Sequence, residues 1–289
     1  MNKLLFAVLV LLFSSCSSSK LVLIATQGDL SQHEFNRQID FYYKGGHIFI
    51  DVSLNDSSYT FLFDTGYEIT MIDQSLSQAL DFKPIKQYKT EGSSFKTQRI
   101  QYGFLSAVEL DGISFQNIGI GIQDLSFIKS PFSDKRKIAG IIGTNILRKV
   151  YWQLNYNRKT IQFSDKLENL TFSSDALVCI MTPRNSTGWG YNNINVNLNN
   201  IHEEFIFDTG FSGSFMGNFE LLDKLQSNDS RIKSNDNFVH IDQLTFGEVR
   251  LENVPLTIKK GVKNLIGNKF LEAFIVTIDW KNNTLYLSS

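Results

Sequence analysis

Between residues 47 and 54 apolar and polar side chains alternate, with Ile48, Ile50, Val52 and Leu54 on one face. A period of two predicts a half-buried strand. Asn55, Asp56, Ser57 and Ser58 supply turn chemistry. Residues 59–63 then return as the second arm of a hairpin that ends on Asp64. Strands are also predicted over residues 102–110 and 113–122, joined by the hairpin signal Asp111-Gly112. Another hairpin is predicted over 150–156 and 160–163. Phe35, Ile39 and Phe41 punctuate residues 34–43 and predict an earlier strand before the Gly45-Gly46 turn. An apolar run at 138–147 is broken by Gly140 and Gly143. One short helix is expected over 73–80, with Asp73 as its cap. Residues 84–99 are polar and predict little strand, with Glu91, Gly92, Ser93 and Ser94 as a loop tip.

The pattern then repeats. Phe61-Leu62-Phe63-Asp64-Thr65-Gly66-Tyr67 returns 144 residues later as Phe205-Ile206-Phe207-Asp208-Thr209-Gly210-Phe211. Residues 177–181 stand in for the first strand, 192–208 for the hairpin and 219–225 for the helix. Residues 244–258 match 108–122 at an offset of 136, and residues 264–271 match the glycine-broken run at an offset of 124. The last hairpin, over residues 279–287, keeps that offset of 124. Connections shrink while motifs stay intact, which is how two copies of one unit diverge. The chain therefore divides into residues 35–165 and 170–289, two related β lobes with a few short helices.

Composition narrows the function classes. Lys plus Arg number 28 and Asp plus Glu 29, so no basic surface for nucleic acid is indicated. His33, His47, His202 and His240 are scattered without metal-ligand spacing, so no metal is expected. Gly119 and Gly121 lie inside a strand without a third glycine, and no dinucleotide or other cofactor is indicated. Trp152, Trp189 and Trp280 read as packing residues. At the N-terminus Lys3 precedes an apolar run over residues 4–13, about half the ~20 residues that span a bilayer. Ser14, Ser15 and Cys16 follow. Residues 1–16 resemble a bacterial lipoprotein signal, with Phe13 where leucine is usual. That resemblance implies lipidation at Cys16 and anchoring to a membrane of the cell envelope, in the periplasm or at the outer membrane. An ordinary secretory signal and a secreted protein are the alternative. Residues 17–34 read as a tether. Cys179 sits in an apolar strand and reads as a core thiol.

Two strands that each end on an acidic residue, held by Thr and Gly, suggest two carboxylates brought together. Such a pair cannot ionise fully, so it shares a proton and offers a base and an acid at once. With the glycine-broken run following in both halves, the chain resembles the aspartic peptidases of the pepsin and retropepsin type. The resemblance covers nearly everything after residue 35. It implies a bilobal acid-protease fold, a polypeptide substrate, a monomer and hydrolysis by water activated between Asp64 and Asp208. It also implies that Thr65 and Thr209 bond across the lobes, that Gly66 and Gly210 permit close approach, and that Gly143 and Gly267 leave room behind the loops. A flap is implied over residues 88–100. Tyr67 and Phe211 depart from the Ser or Thr usual there, which predicts higher carboxyl pKa values and an optimum nearer neutral. A catalytically silent peptide- or partner-binding envelope lipoprotein is the alternative function.

Overall fold

The computed structural model describes residues 20–80, 82, 84–91, 97–184, 189–230, 232 and 238–289. Cys16 and the expected signal over residues 1–16 lie outside these residues, as do residues 92–96 of the expected loop tip. The fold is all-β and bilobal, with few and short helices.

Among the described residues the strands form one sheet of nine and one of twelve. In the first, Ser57–Phe63 lies between His47–Leu54 and Ile138–Ile142. Thr97–Leu110 pairs with both His47–Leu54 and Ile113–Gln123, which closes the sheet on itself. The alternation read from residues 48–54 becomes this barrel's inner face, where Ile48, Ile50, Val52 and Leu54 are buried. Residues 84–99 depart from expectation. Pro84–Glu91 and the start of Thr97–Leu110 pair as an antiparallel hairpin despite their polar composition, because a hairpin projecting from a barrel needs no apolar face to satisfy its backbone. The expected helix over 73–80 shrinks to a 3-10 turn at Gln74–Leu76. Asp73 does cap it, accepting from Ser75 N at 3.0 Å, and also binds Lys137 Nζ at 2.7 Å.

The second half builds the same closed arrangement from Asn192–Leu198, Ile201–Phe207, Phe215–Gly217, Phe238–Phe246, Val249–Ile258 and Leu265–Ile266. Its helix runs over Phe219–Asn228, capped by Asn218, whose side chain accepts from Leu221 N at 2.8 Å. The sheet then continues through Leu177–Pro183, Thr284–Ser288, Ile275–Asp279, Tyr151–Asn155 and Thr160–Ser164 to Asn36–Asp40. Three strands of the second half are followed by three of the first in this run, and the pair where they meet joins Tyr151–Asn155 to its own repeat, Ile275–Asp279. A division of the chain near residue 165 thus falls inside a shared sheet. Hydrophobic alternation announces a strand but not its partner.

The shared sheet sets the position of the first loop. Phe63, immediately before Asp64, meets the Trp152 ring at 5.2 Å, and Trp152 stacks on Phe163 at 5.3 Å. Trp152 Nε1 donates to the Leu147 carbonyl at 2.7 Å. A buried aromatic of this size is worth about 3–5 kcal/mol against alanine, so core packing fixes the strand end that carries the carboxylate.

Residues 20–34 are not a free tether. Residues 20–26 form a helical turn, and Asp29–Leu30 pairs with Ile113–Gln123. The amides of Glu34 and Phe35 then donate to the Asp165 carboxylate at 2.8 and 3.1 Å. Leu21, Ile24 and Ala25 find apolar cover on the first lobe and against Trp189 of the second half, which so short a segment does not announce by periodicity.

Candidate active site

Each carboxylate is delivered by the same local construction. Ile138–Ile142 runs parallel to Ser57–Phe63 with Ile142 opposite Phe63, and Asp64 N donates to Ile142 O at 3.1 Å. In the second half Ile266 lies opposite Phe207, and Asp208 N donates to Ile266 O at 2.9 Å. The chain then turns tightly. Gly66 N donates to Asp64 Oδ1, and Gly210 N to Asp208 Oδ1, each at 2.8 Å.

The two loops meet back to back. Thr65 N donates to Thr209 Oγ1 at 3.0 Å, and Thr209 N to Thr65 Oγ1 at 2.9 Å. The hydroxyls pass their own protons across the junction, Thr65 Oγ1 to Phe207 O at 2.8 Å and Thr209 Oγ1 to Phe63 O at 2.9 Å. Both threonines are fully buried. The glycines are required by proximity: a Cβ on Gly66 would lie 2.6 Å from Asp208 Cγ, and one on Gly210 would strike the Asp64 carboxylate. Gly143 and Gly267 sit behind the loops. A Cβ on Gly143 would lie 2.9 Å from Tyr67 O, and one on Gly267 would press into Phe211. The amides that follow hold the same carbonyls, Thr144 N to Tyr67 O at 2.8 Å and Asn268 N to Phe211 O at 2.9 Å.

Asp64 and Asp208 share a hydrogen bond. Burial raises the pKa of Asp64 well above the usual carboxylate range, and the neighbouring charge of Asp208 adds to it, against the opposing pull of the Gly66 amide. Burial also raises Asp208, opposed by the Gly210 amide and by its bond with Asp64. Desolvation and a like charge both disfavour a doubly ionised pair, which titrates as a unit. Tyr67 and Phe211 do not reverse this. The Tyr67 hydroxyl accepts from Gln123 Nε2 at 3.3 Å, and its ring packs on the cluster of Phe49, Leu62 and Ile141. The Phe211 ring is folded over Gly213 and Gly267. Both aromatics therefore serve as packing for their own loops.

Several supporting residues were not identified from the sequence. Gly46 and Gly190 both take positive φ, at +78° and +95°, and each rests on the opposite loop. A Cβ on Gly46 would lie 2.6 Å from Ser212 Cβ, and one on Gly190 would lie 2.9 Å from Glu68 Oε1. Both pairs obey the offset of 144 (46 to 190, 68 to 212), so extending the repeat four residues before Ile50 reveals them. Asn268 ties the same contact, donating from Nδ2 to Gly46 O at 2.8 Å and to Thr209 O at 2.6 Å. On the other side Arg148 Nε donates to Gly190 O at 2.9 Å, and Arg184 pairs with Glu68. His47 is set against the Gly210 carbonyl, and its burial lowers the imidazole pKa. Cys179 is buried, and desolvation pushes its thiol up to about 12, which suits an inert core residue.

No curated protein matches the chain in sequence. Residues 50–146, which carry Asp64, Thr65, Gly66 and Gly143, match the family model described as aspartyl protease, and over that range the chain is similar to this family.

Proposed function

We propose that the protein is an aspartic endopeptidase whose catalytic residues are Asp64 and Asp208. The observation that carries this reading is the paired carboxylates, each held by a neighbouring glycine amide and locked by reciprocal threonine bonds between the two halves. In the singly protonated pair, the ionised carboxyl takes a proton from a water lying between the two. The water oxygen attacks the peptide carbonyl while the protonated carboxyl gives its proton to the carbonyl oxygen. Collapse of the tetrahedral species then breaks the C–N bond. The proton taken from water passes to the leaving nitrogen, and a hydroxyl on the tetrahedral carbon returns its proton to the other carboxyl, which restores the singly protonated pair. The substrate is an extended polypeptide, read by backbone hydrogen bonds as an added strand would be. One chain carries both carboxylates, so a monomer suffices.

The pH dependence follows from the raised pair. Activity needs one shared proton, so it is lost below the lower pKa of the pair, where both carboxyls are protonated, and above the upper one, where both are ionised. Raising both values moves both limits upward. Cleavage of an unstructured polypeptide scanned from pH 3 to 8 is expected to peak above about pH 5. A maximum below pH 4 contradicts the proposed electrostatics.

We also infer, from residues 3–16 of the sequence alone, that Cys16 is lipidated and that the protein works at a membrane of the bacterial envelope. Radiolabelled palmitate fed to producing bacteria is expected to enter the wild-type chain and not Cys16→Ala. Equal labelling of both would sink this part of the reading.

A further inference from the structure

We propose that residues 20–31 are a permanent strap that holds the base of the hairpin 84–110 against the opposite half of the molecule. The consequence for substrate binding rests on the peptidase reading, but the strap itself stands on contacts.

Ile24 and Ala25 are 1% and 5% exposed. They form a separate apolar cluster with Ile69, against which Leu21, Tyr102, Phe104 and Trp189 pack. These residues come from three places that nothing else in the cluster joins. Ile69 closes the loop that begins at Asp64, Tyr102 and Phe104 lie on the inner strand of the hairpin, and Trp189 belongs to the second half. The strap is held by these apolar contacts at its start and by hydrogen bonds from Gly28 onward. Gln27 N donates within the strap to Leu23 O at 2.9 Å, and Lys149 Nζ donates to Gly28 O at 2.5 Å. Asp29 and Leu30 pair with Gln116 and Phe115. Ser31 N donates to Ser114 O at 2.9 Å, and Ser114 N returns a bond to Ser31 Oγ at 3.3 Å.

Gly119 is the mark of a built seat. A Cβ there would fall on the Ile24 carbonyl, and its three nearest atoms all belong to Ile24. Nothing else nearby presses so closely on that position, so the strand is left bare for the strap backbone to lie on it. Gly28 answers from the strap side, with φ of +106° and a would-be Cβ 2.6 Å from Ile118 Cδ1 and 2.7 Å from Gln116 O. Such a position is open to glycine alone.

A hairpin gripped at Tyr102 and Phe104 is fixed at its base. The strap reaches toward the carboxylates only as far as Ile69, five residues past Asp64. Its loss is therefore expected to weaken substrate binding and to leave the chemical step alone.

The test compares the full chain, a chain beginning at residue 32, and Gly119→Ala in each. Amide exchange over 84–91 and 97–104 is read beside kcat and KM on an unstructured peptide. Truncation is expected to speed exchange about tenfold and to raise KM about fivefold with kcat within about twofold. Gly119→Ala in the full chain should reproduce both changes, and in the truncated chain it should add nothing, because the three nearest atoms its Cβ would meet all belong to Ile24. The full-chain variant keeps the test decisive if the truncated chain does not fold. Unchanged exchange in Gly119→Ala overturns the strap, whatever the peptidase assay shows. A rise in kcat/KM on truncation overturns it in favour of a removable blocking segment. Faster exchange with no cleavage by any of the proteins upholds the strap and removes the peptidase reading instead.

Discussion

Replacing Asp64 or Asp208 by asparagine is expected to lower kcat/KM for peptide cleavage by about a thousandfold or more, the scale of losing a positioned acid or base. The carboxyls share a hydrogen bond and act as one unit, so Asp64→Asn/Asp208→Asn should be little worse than either single variant. Loss of folding would mimic this result, and linkage separates the two. Each carboxyl has a folded-state pKa raised above its unfolded value. The stability it contributes is present below the unfolded value, near pH 4, and is lost as pH rises through the folded value. Asparagine carries no charge to desolvate. The variants should therefore gain stability relative to wild type as pH rises from about 4 to 8. Thermal unfolding at both ends of that range, measured beside the rates, checks this. Inactive variants that are also less stable than wild type at pH 8 would refute the role assigned to the pair.

The second large effect belongs to the threonines. Thr209 Oγ1 accepts from Thr65 N and donates to Phe63 O. Thr209→Val keeps the shape and leaves that buried N–H and C=O without partners. Each unsatisfied group costs about 1–3 kcal/mol, so a loss of about 2–6 kcal/mol is expected for the two. Thr65→Val strips the same two groups from the other side, Thr209 N and Phe207 O, and should cost the same. Urea denaturation measures both. A loss below about 0.5 kcal/mol in either variant, the level of an ordinary surface change, would mean that the junction does not hold the halves together.

The sequence announces the site more fully than the fold around it. An acidic residue at the end of an apolar strand is a poor structural choice, and the chain makes it twice at one spacing, so Asp64 and Asp208 stand out without coordinates. The resemblance then supplies the cross-bonding of Thr65 and Thr209 and the room behind Gly143 and Gly267, and the structure brings all of these together. What the sequence hides is pairing. The hairpins read over 150–163 and 279–287 belong to separate lobes, yet Tyr151–Asn155 and Ile275–Asp279 lie side by side, because alternation specifies a face and not a neighbour. Residues 84–91, for all their polar composition, form a strand paired with the start of Thr97–Leu110. The strap escapes notice because Leu21, Ile24 and Ala25 are too few to show a period. Its seat, Gly119, reads only as a glycine inside a strand. Gly46 and Gly190 lay within reach of the repeat and were hidden because the residues between do not match, His47-Ile48-Phe49 in one copy and Tyr191-Asn192-Asn193 in the other.

The central claim is that these two carboxylates cut polypeptide. Its most direct test incubates the purified full chain with a mixture of unstructured polypeptides near neutral pH and maps new amino termini by mass spectrometry. Asp64→Asn and Asp208→Asn run in parallel. The account expects new termini from the wild type and none from either variant. Termini that persist in a variant, or none at all from a folded wild-type protein, would contradict it.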